Sequence, residues 1–567
     1  MSPLQRHPAP AFLGLMVTAS IVLSACAAAT EPSTSPPGTE APPTISTESP
    51  TAPPEGGGAE HGGTLVMALN AAPVNLNPIL SLSSFDIMAY SSVFDGLLAL
   101  DENLSPEGAL AESWTVSDDG LEWTFHLRPG VTWHDGVNFT ADDVKFTFDT
   151  VMNPAVNSPL QSTVADVVES VEVVDPLTVR IRTFEQYGPL LTLLGGWQGL
   201  KIVPRHLLEG EADLSIAAFN RAPVGTGPFA FVSWNSEDII ELKRFANYWG
   251  GAVPNIPGTA YVDRFVIKVI ADPNAANAQL ITGEADLVSV RQNDYLALKD
   301  NPNVQLFIGP TIINTYLALN HVNPLFQDPT VRMALAHGID REGIVKVALQ
   351  ELGAVINSPM FPSSWAYDPS TEGMYAFDPQ RAGELLAEAG WVDRDSDGIL
   401  IKDGQRFEFG LQEYSEWEPY VQAAQIIQDN LGDLGIKVNL ELSEYNTWFS
   451  TILTPGEFDA TIWAYFQTDP DLTNSLSCGA FPPNGQNWFF YCNEEGDRLL
   501  LEGRRSLDVD TRRNAYFEYQ QLFAQELPFI PLFAEQVLWG ASDELQNFRM
   551  NAERYSGFIY SMWLKEP

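Results

Sequence analysis

Apolar positions along this chain follow two different periods. Around 98–205 they alternate with polar ones, as in LEWTFHLR and SVEVVDPLTVRIRTF, and the pattern predicts strands joined by turns near Asp119-Gly120 and Asp175-Pro176. GTGPFAFVSWNSEDIIELKRFANYW (225–249) alternates in the same way and predicts paired strands. Helical spacing appears in FDPQRAGELLAEAGW. Asp378 is its N-cap, Pro379 its first position, and Ala382, Leu385, Leu386 and Ala389 recur at helical intervals before Gly390 ends it. Further on, RFEFGLQ alternates as a strand. It is followed by a helical stripe of Val421, Ala424, Ile427, Leu431 and Leu434, a stop at Gly435, and a second alternating run of Ile436, Val438, Leu440 and Leu442. Strand, helix and strand in that order predict a parallel pair, and FDATIWAYF (458–466) adds another strand. Ligands of open α/β sheets lie beyond the carboxyl ends of the strands. That rule points to the loops 412–419 and 467–472, and to Tyr414 and Trp417 as candidate ligand contacts.

The first sixty residues follow neither period. After Arg6 comes the apolar run AFLGLMVTASIVL, closed by Leu23-Ser24-Ala25-Cys26. A short apolar segment ending in small residues reads as a secretory signal rather than a membrane span. LSAC resembles a bacterial lipobox, which implies cleavage before Cys26, lipid on that cysteine, and a site at the cell membrane facing the extracellular or periplasmic side. Residues 27–63 are rich in Pro, Ser, Thr and Glu, lack the apolar content for a core, and predict a disordered tether. No later apolar run is long enough to span a membrane.

Composition narrows the classes further. The 567 residues carry a formal net charge of -43 with 45% apolar residues. That acidity excludes nucleic acid and an anionic membrane surface as partners, since either needs a basic face. It also suits an exported, soluble protein. Of the 3 cysteines, Cys478 and Cys492 remain after Cys26. In an exported chain they are a disulfide candidate, with two buried thiols as the alternative.

Catalytic signatures are missing: there is no HExxH, GxSxG, Walker loop or helix-opening GxGxxG. The 7 histidines are scattered without metal-ligand spacing, so no metal and no cofactor is expected. DRDSDG (393–398) matches half a calcium loop, but its twelfth position is Gly404, and an Asp/Gly turn is the better reading. VTWHDGV (131–137) looks reactive. With its flanks included, Thr140 and Asp143 form a capping box, Phe139 and Val144 a hydrophobic staple, and His134-Asp135-Gly136 a turn, so it reads as scaffold.

Several stretches together resemble the bacterial extracellular solute-binding proteins of the oligopeptide, dipeptide and nickel class (family 5), which serve ABC importers. They are 109–148 (ALAESWTVSDDGLEWTFHLRPGVTWHDGVNFTADDVKFTF), NLNPIL with VFDGLL (75–98), VGTGPF, FANYWGG, and the segments 263–287 and 323–344. DPDL (469–472), GQNWFFYCN and ELPFIPLF complete the set. The resemblance implies an α/β fold: a two-lobed periplasmic-binding-protein-like clamshell of type II with an extra third domain, its mixed sheets flanked by helices. It implies a signal peptide over 1–26, the tether over 27–63, and lobe I over 64–97, 205–312 and 536–567. The extra domain would span 98–204 and lobe II 313–535.

Function, on this resemblance, is capture of a small ligand by hinge closure and its delivery to permease subunits, with no bond broken and the receptor a monomer. An oligopeptide is the first expectation, and an oligosaccharide, opine or metal chelate the alternative. A secreted hydrolase with paired carboxylates, or a surface signalling or chaperone protein, are the weaker readings. Peptide-binding members hold the α-ammonium with an aspartate before the DPD-type loop, and the matching position here is Phe466. Asp469 or Asp471 either substitutes or caps the following turn. Trp463, Tyr465, Phe466 and Trp488 either stack on ligand or pack in the core. Candidate ligand contacts are therefore Trp463, Tyr465, Phe466, Asp469 and Trp488 in lobe II, with Tyr414 and Trp417. Ser83, Ser84 and Phe85 belong to lobe I, and Asn314 and Tyr316 lie near the crossover.

Overall fold

The computed structural model describes residues 61–567 apart from 102, 236–238, 253–258, 310–312, 467, 483–484, 551–552, 554–556 and 566–567. The signal peptide, Cys26 and nearly all of the tether lie outside the described residues.

Two mixed sheets organise the chain. The first has seven strands, in the order Val304–Gly309, Val537–Ser542, Leu287–Ser289, Thr64–Leu69, Arg264–Val269, Ile239–Arg244 and Phe229–Asn235. Thr64–Leu69 runs parallel to both Arg264–Val269 and Leu287–Ser289, so these three strands end together at Leu69, Val269 and Ser289. The second sheet has six, in the order Gly353–Val355, Phe529–Glu535, Ile313–Leu319, Ala460–Phe466, Glu408–Tyr414 and Lys437–Ser443. A four-stranded antiparallel sheet is built from residues 111–183. Its Trp123, Phe125, Val179 and Ile181 belong to the same apolar core as Leu65, Phe265 and Ile267 of the first sheet. The second sheet has a separate core, drawn from residues between Tyr316 and Phe533. No helix among the described residues is long and apolar enough to cross a membrane.

The βαβ unit forms where periodicity predicts it. Glu408–Tyr414 and Lys437–Ser443 pair in parallel, and the helix Glu418–Asp433 between them buries Tyr420, Ala423, Ala424, Ile427 and Leu431. Gly435 reverses the chain at φ 88°. The helix Pro379–Glu388 is capped by Asp378, whose Oδ1 accepts the Arg381 N–H at 2.9 Å. Asp395 accepts the N–H groups of Asp397 and Ile399 and pairs with Arg406 at 2.9 Å, so the DRDSDG carboxylates organise a turn. Cys478 and Cys492 are joined as a disulfide.

The chain passes between the two sheets at two adjacent places. Phe529–Glu535 of the second sheet and Val537–Ser542 of the first are separated by Gln536 alone. Val304–Gly309 and Ile313–Leu319 make the other crossing, where Gly309 pairs with Val537 and Asn314 with Ala534. Two neighbouring chain crossings between sheets with separate cores are the geometry of a hinge.

VTWHDGV is a fastening point of the first core. Thr140 and Asp143 make the reciprocal capping box, and Phe139 and Val144 are buried beside it. Gly136 takes φ 89°, which the turn requires. His134 Nδ1 accepts the Gly225 N–H at 3.2 Å, and its Nε2–H donates to Gly227 O at 2.9 Å. Gly225 lies so close to the backbone of Val93 that an added Cβ would fall 1.8 Å from the Val93 carbonyl oxygen. The imidazole thus pins a backbone crossing that only glycine permits.

Burial holds the His134 pKa down at about 4, against an ordinary 6.5. Between those values the unfolded chain takes up a proton that the folded one refuses, so stability falls as the pH drops from 6.5 to 4. His134→Ala should lower the urea midpoint at pH 7 and make its fall between pH 6.5 and 4 shallower. An unchanged acid slope would count against this assignment.

Candidate functional site

The parallel strands of the second sheet set the site. Glu408–Tyr414, Lys437–Ser443 and Ala460–Phe466 point the same way, so their carboxyl ends form one edge. Three aromatic residues at that edge keep much of their surface in solvent: Trp417 at 39%, Tyr445 at 38% and Phe466 at 48%. Exposed large rings gathered at one sheet edge are a binding feature, since single scattered ones carry no such meaning.

Behind them lies an aromatic layer. Trp463 packs on Trp448 with centroids 5.1 Å apart, Phe449 lies 6.3 Å from both Trp463 and Trp488, and Tyr414 touches Tyr420, Tyr445 and Trp448. Phe449–Leu453 is a π-helical turn, which places Phe449 beside these rings. The Glu413 carboxyl is fully buried where Glu408–Tyr414 leaves Ala460–Phe466 and accepts the N–H groups of Tyr414 and Ile462 at 3.0 and 2.9 Å. Burial pushes it up to about 8, with those two donors pulling the other way.

Two cavities flank this edge. One, of about 150 Å³, lies at the hinge, between the ends of the parallel strands of the first sheet (Asn70, Ile270, Ser289) and Trp417 with Glu535. The other, of about 230 Å³, opens between Tyr187, Thr192, Gly196 and Gln198 on one side and Phe466, Thr468 and Asp469 on the other. The carboxyl ends of both sheets thus meet at the hinge cavity, and at the other the second sheet meets residues 187–199.

The predicted contacts divide on this geometry. Trp417, Phe466 and Asp469 line the two cavities. Trp463 and Trp488 are half-buried in the aromatic layer, with Tyr414. Tyr316 and Tyr465 are core instead: both rings are buried against Phe529, and the Tyr465 hydroxyl donates to the Pro359 carbonyl. Asn314 is buried with them and donates to the same carbonyl at 3.1 Å. Ser83 precedes the helix Ser84–Tyr90, and Phe85 packs on the first core; none of Ser83, Ser84 and Phe85 lines either cavity.

Asp469 calls for a correction. Its Oδ1 accepts from Arg512 Nη2 at 2.5 Å, with both side chains nearly buried, and Arg504 Nε donates to Asp471 Oδ2 at 2.7 Å. Each carboxylate of the DPD turn already holds a guanidinium, so neither stands in for an ammonium-binding acid. Asp471 also caps the next turn through Thr473.

Sequence reasoning missed Tyr445, Phe449, Tyr187 and Thr192. Tyr445 follows the second strand of the βαβ unit, so the same strand-end rule that found Tyr414 and Trp417 would have found it. Tyr187 and Thr192 carried no local signal. Among the described residues, no group of three or more His, Cys, Asp or Glu is placed to hold a metal ion.

A profile of the bacterial extracellular solute-binding proteins, family 5 (middle region), matches residues 105–487. The chain belongs to that family. It is 28% identical to the oligopeptide-binding protein AppA of Bacillus subtilis (strain 168) over 99% of both chains. It is 28% identical to the glutathione-binding protein GsiB of Salmonella typhi over 85% of this chain and 91% of that one. The structure of Bacillus subtilis AppA in complex with a nonapeptide superposes with a TM-score of 0.74 at 28% identity, covering 90% of this chain and all of that one. Campylobacter jejuni NikZ, in complex with Ni(L-His), superposes with a TM-score of 0.74 at 28% identity, covering 88% and 99%. This family 5 protein therefore has the two-lobed fold of the periplasmic binding proteins, and it is a solute-binding protein of ABC transport, not an enzyme.

Losing one member of a buried ion pair strands the other, at a cost of about 3–5 kcal/mol. Asp469→Ala should lose that much in chemical denaturation by leaving the nearly buried Arg512 guanidinium without its paired carboxylate. A loss below about 1 kcal/mol would show that the pair is solvated.

Proposed function

We propose that this protein is the lipid-anchored receptor of an ABC importer, held to the membrane through Cys26, which closes its lobes on an oligopeptide and delivers it to permease subunits. One observation carries the reading: the rings of Trp417, Tyr445 and Phe466 stand exposed at the carboxyl ends of the second sheet, Trp417 across a cavity from the first sheet's strand ends and Phe466 across another from Tyr187 and Thr192. Such rings offer apolar surface to side chains of varied sequence, and lobe closure adds their burial to the binding energy. The relatives named for oligopeptide and glutathione binding, and the neighbour holding a nonapeptide, support a peptide. The arginine-paired DPD turn supports a second reading, an oligosaccharide stacking on the same rings, because a sugar needs no carboxylate there.

Calorimetry and thermal shift with synthetic nonapeptides, glutathione, neutral oligosaccharides and nickel–histidine decide between them. A nonapeptide at a hundredfold excess over its Kd should stabilise the protein by ~2.7 kcal/mol. Phe466→Ala and Tyr445→Ala should each weaken that binding about tenfold, or ~1.4 kcal/mol, while His134→Ala binds as the unmodified protein does. Binding of oligosaccharides alone selects the second reading, and silence in all four classes overturns the receptor. Separately, Cys26→Ser should move the protein from the membrane fraction to the soluble exported fraction. Retention on the membrane would refute the lipid anchor.

A further inference from the structure

Opposite the hinge, the cleft is bridged by a chain of contacts that neither the family likeness nor the ligand reading assigns. Residues 185–199 follow the last strand of the four-stranded sheet and share the first core through Leu190, Leu194 and Trp197. Across the cleft they meet the DPD turn and the end of the helix Glu494–Arg505. The Gly188 N–H donates to Arg504 O at 2.7 Å, Glu185 pairs with Arg505 at 2.7 Å, and the Arg504 guanidinium lies 5.8 Å from the centre of the Tyr187 ring. Leu507, just beyond that helix, packs on the first core.

At the other end of the segment sits Glu553, from the C-terminal tail. Its carboxylate accepts the Trp197 N–H at 3.1 and 3.2 Å and the Thr468 hydroxyl at 2.9 Å. Trp197 belongs to the first core, whereas Thr468 lies two residues after Phe466 on the second sheet. The Glu553 side chain is almost fully buried, and burial raises its pKa above the ordinary carboxylate value, with the Trp197 and Thr468 donors and nearby Lys201, which donates to Gly196 O at 3.1 Å, pulling the other way. A buried carboxylate shared between donors from both halves, next to a residue lining the cavity, holds only while the halves are together.

We propose that Glu553 is a positioning residue for ligand capture: with Thr468 and the segment 185–199 it forms a clasp that fixes the closed cleft and sets Phe466 over whatever occupies it. The proposal rests on the receptor reading for its purpose, though not for its test. A two-stranded hinge imposes little preference between open and closed, so contacts at the far rim decide the populations. Arg504 and Arg512 contribute from behind. Their aspartate partners lie in the same half, so the DPD turn keeps its shape when the clasp opens and offers a preformed surface when it closes.

The Gly188 amide reports the clasp. Its acceptor lies across the cleft, and neither Glu553 nor Thr468 touches it. Hydrogen exchange on the full chain should show Gly188 exchanging about tenfold faster in Thr468→Val, an isosteric change that leaves Trp197 and Glu553 bonded, and in Glu553→Ala. Glu553→Gln, which keeps an acceptor oxygen, should restore most of the protection. Adding a pool of synthetic nonapeptides should raise Gly188 protection in the unmodified protein and less so in the two clasp variants. Gly188 protection unchanged in both Thr468→Val and Glu553→Ala, with and without the pool, would overturn the clasp. No response of the unmodified protein to the pool would count against the peptide reading, leaving the clasp to be judged on the peptide-free comparison.

Discussion

Everything functional in this molecule depends on how little joins its two sheets at the hinge. Gln536 alone separates a strand of one from a strand of the other, and the second crossing runs alongside it. Backbone hydrogen bonds hold those strands in register within each sheet, and among the described residues the two large cores stay separate there. The apolar cluster at the crossing is small: Val290, Leu298, Leu352 and Leu538. Two separate cores joined by two strands leave relative rotation as the soft coordinate of the chain, and the cleft inherits its properties from that.

Charge on the DPD turn is paired within its own half of the molecule. The chain is strongly acidic, yet the carboxylates of the DPD turn are matched by Arg512 and Arg504. Buried pairs of this kind add little net stability, but they fix geometry, because breaking either partner away is costly. Glu413 does similar work for the aromatic layer, bridging two strands where their ladder has ended. What lines the hinge cavity is mostly aliphatic surface with Trp417, and the other cavity mixes Tyr187 and Phe466 with hydroxyl, amide and the arginine-paired carboxylates, a surface suited to ligands with apolar parts.

How much of this was legible beforehand follows from the range of each interaction. The capping box at Thr140, the helix from Pro379, the βαβ unit and the turn at His134 are local, so they could be read from spacing. Tyr414 and Trp417 were proposed through strand ends and Phe466 through the family resemblance, and Tyr445 was within reach of the strand-end rule. Tyr316, Tyr465 and Asn314 were misplaced because alternation says which residues share a face and not which face meets solvent. Both faces of the strand Ile313–Leu319 are covered, and it is buried at every position. The pairing of Asp469 was not legible because its partner lies 43 residues on, in a helix whose arginines look like ordinary solvated charges.

The sequence by itself determined the family, the local elements, the absence of short catalytic motifs and the export-like N-terminus, since each is written in residues close together in the chain. Only the tertiary structure decided which aromatics face the cleft, which acids are already paired, and that Glu553 reaches both Trp197 and Thr468. Those outcomes rest on contacts between segments far apart in the chain, whose meeting depends on how both sheets fold and pack, and no local pattern encodes that.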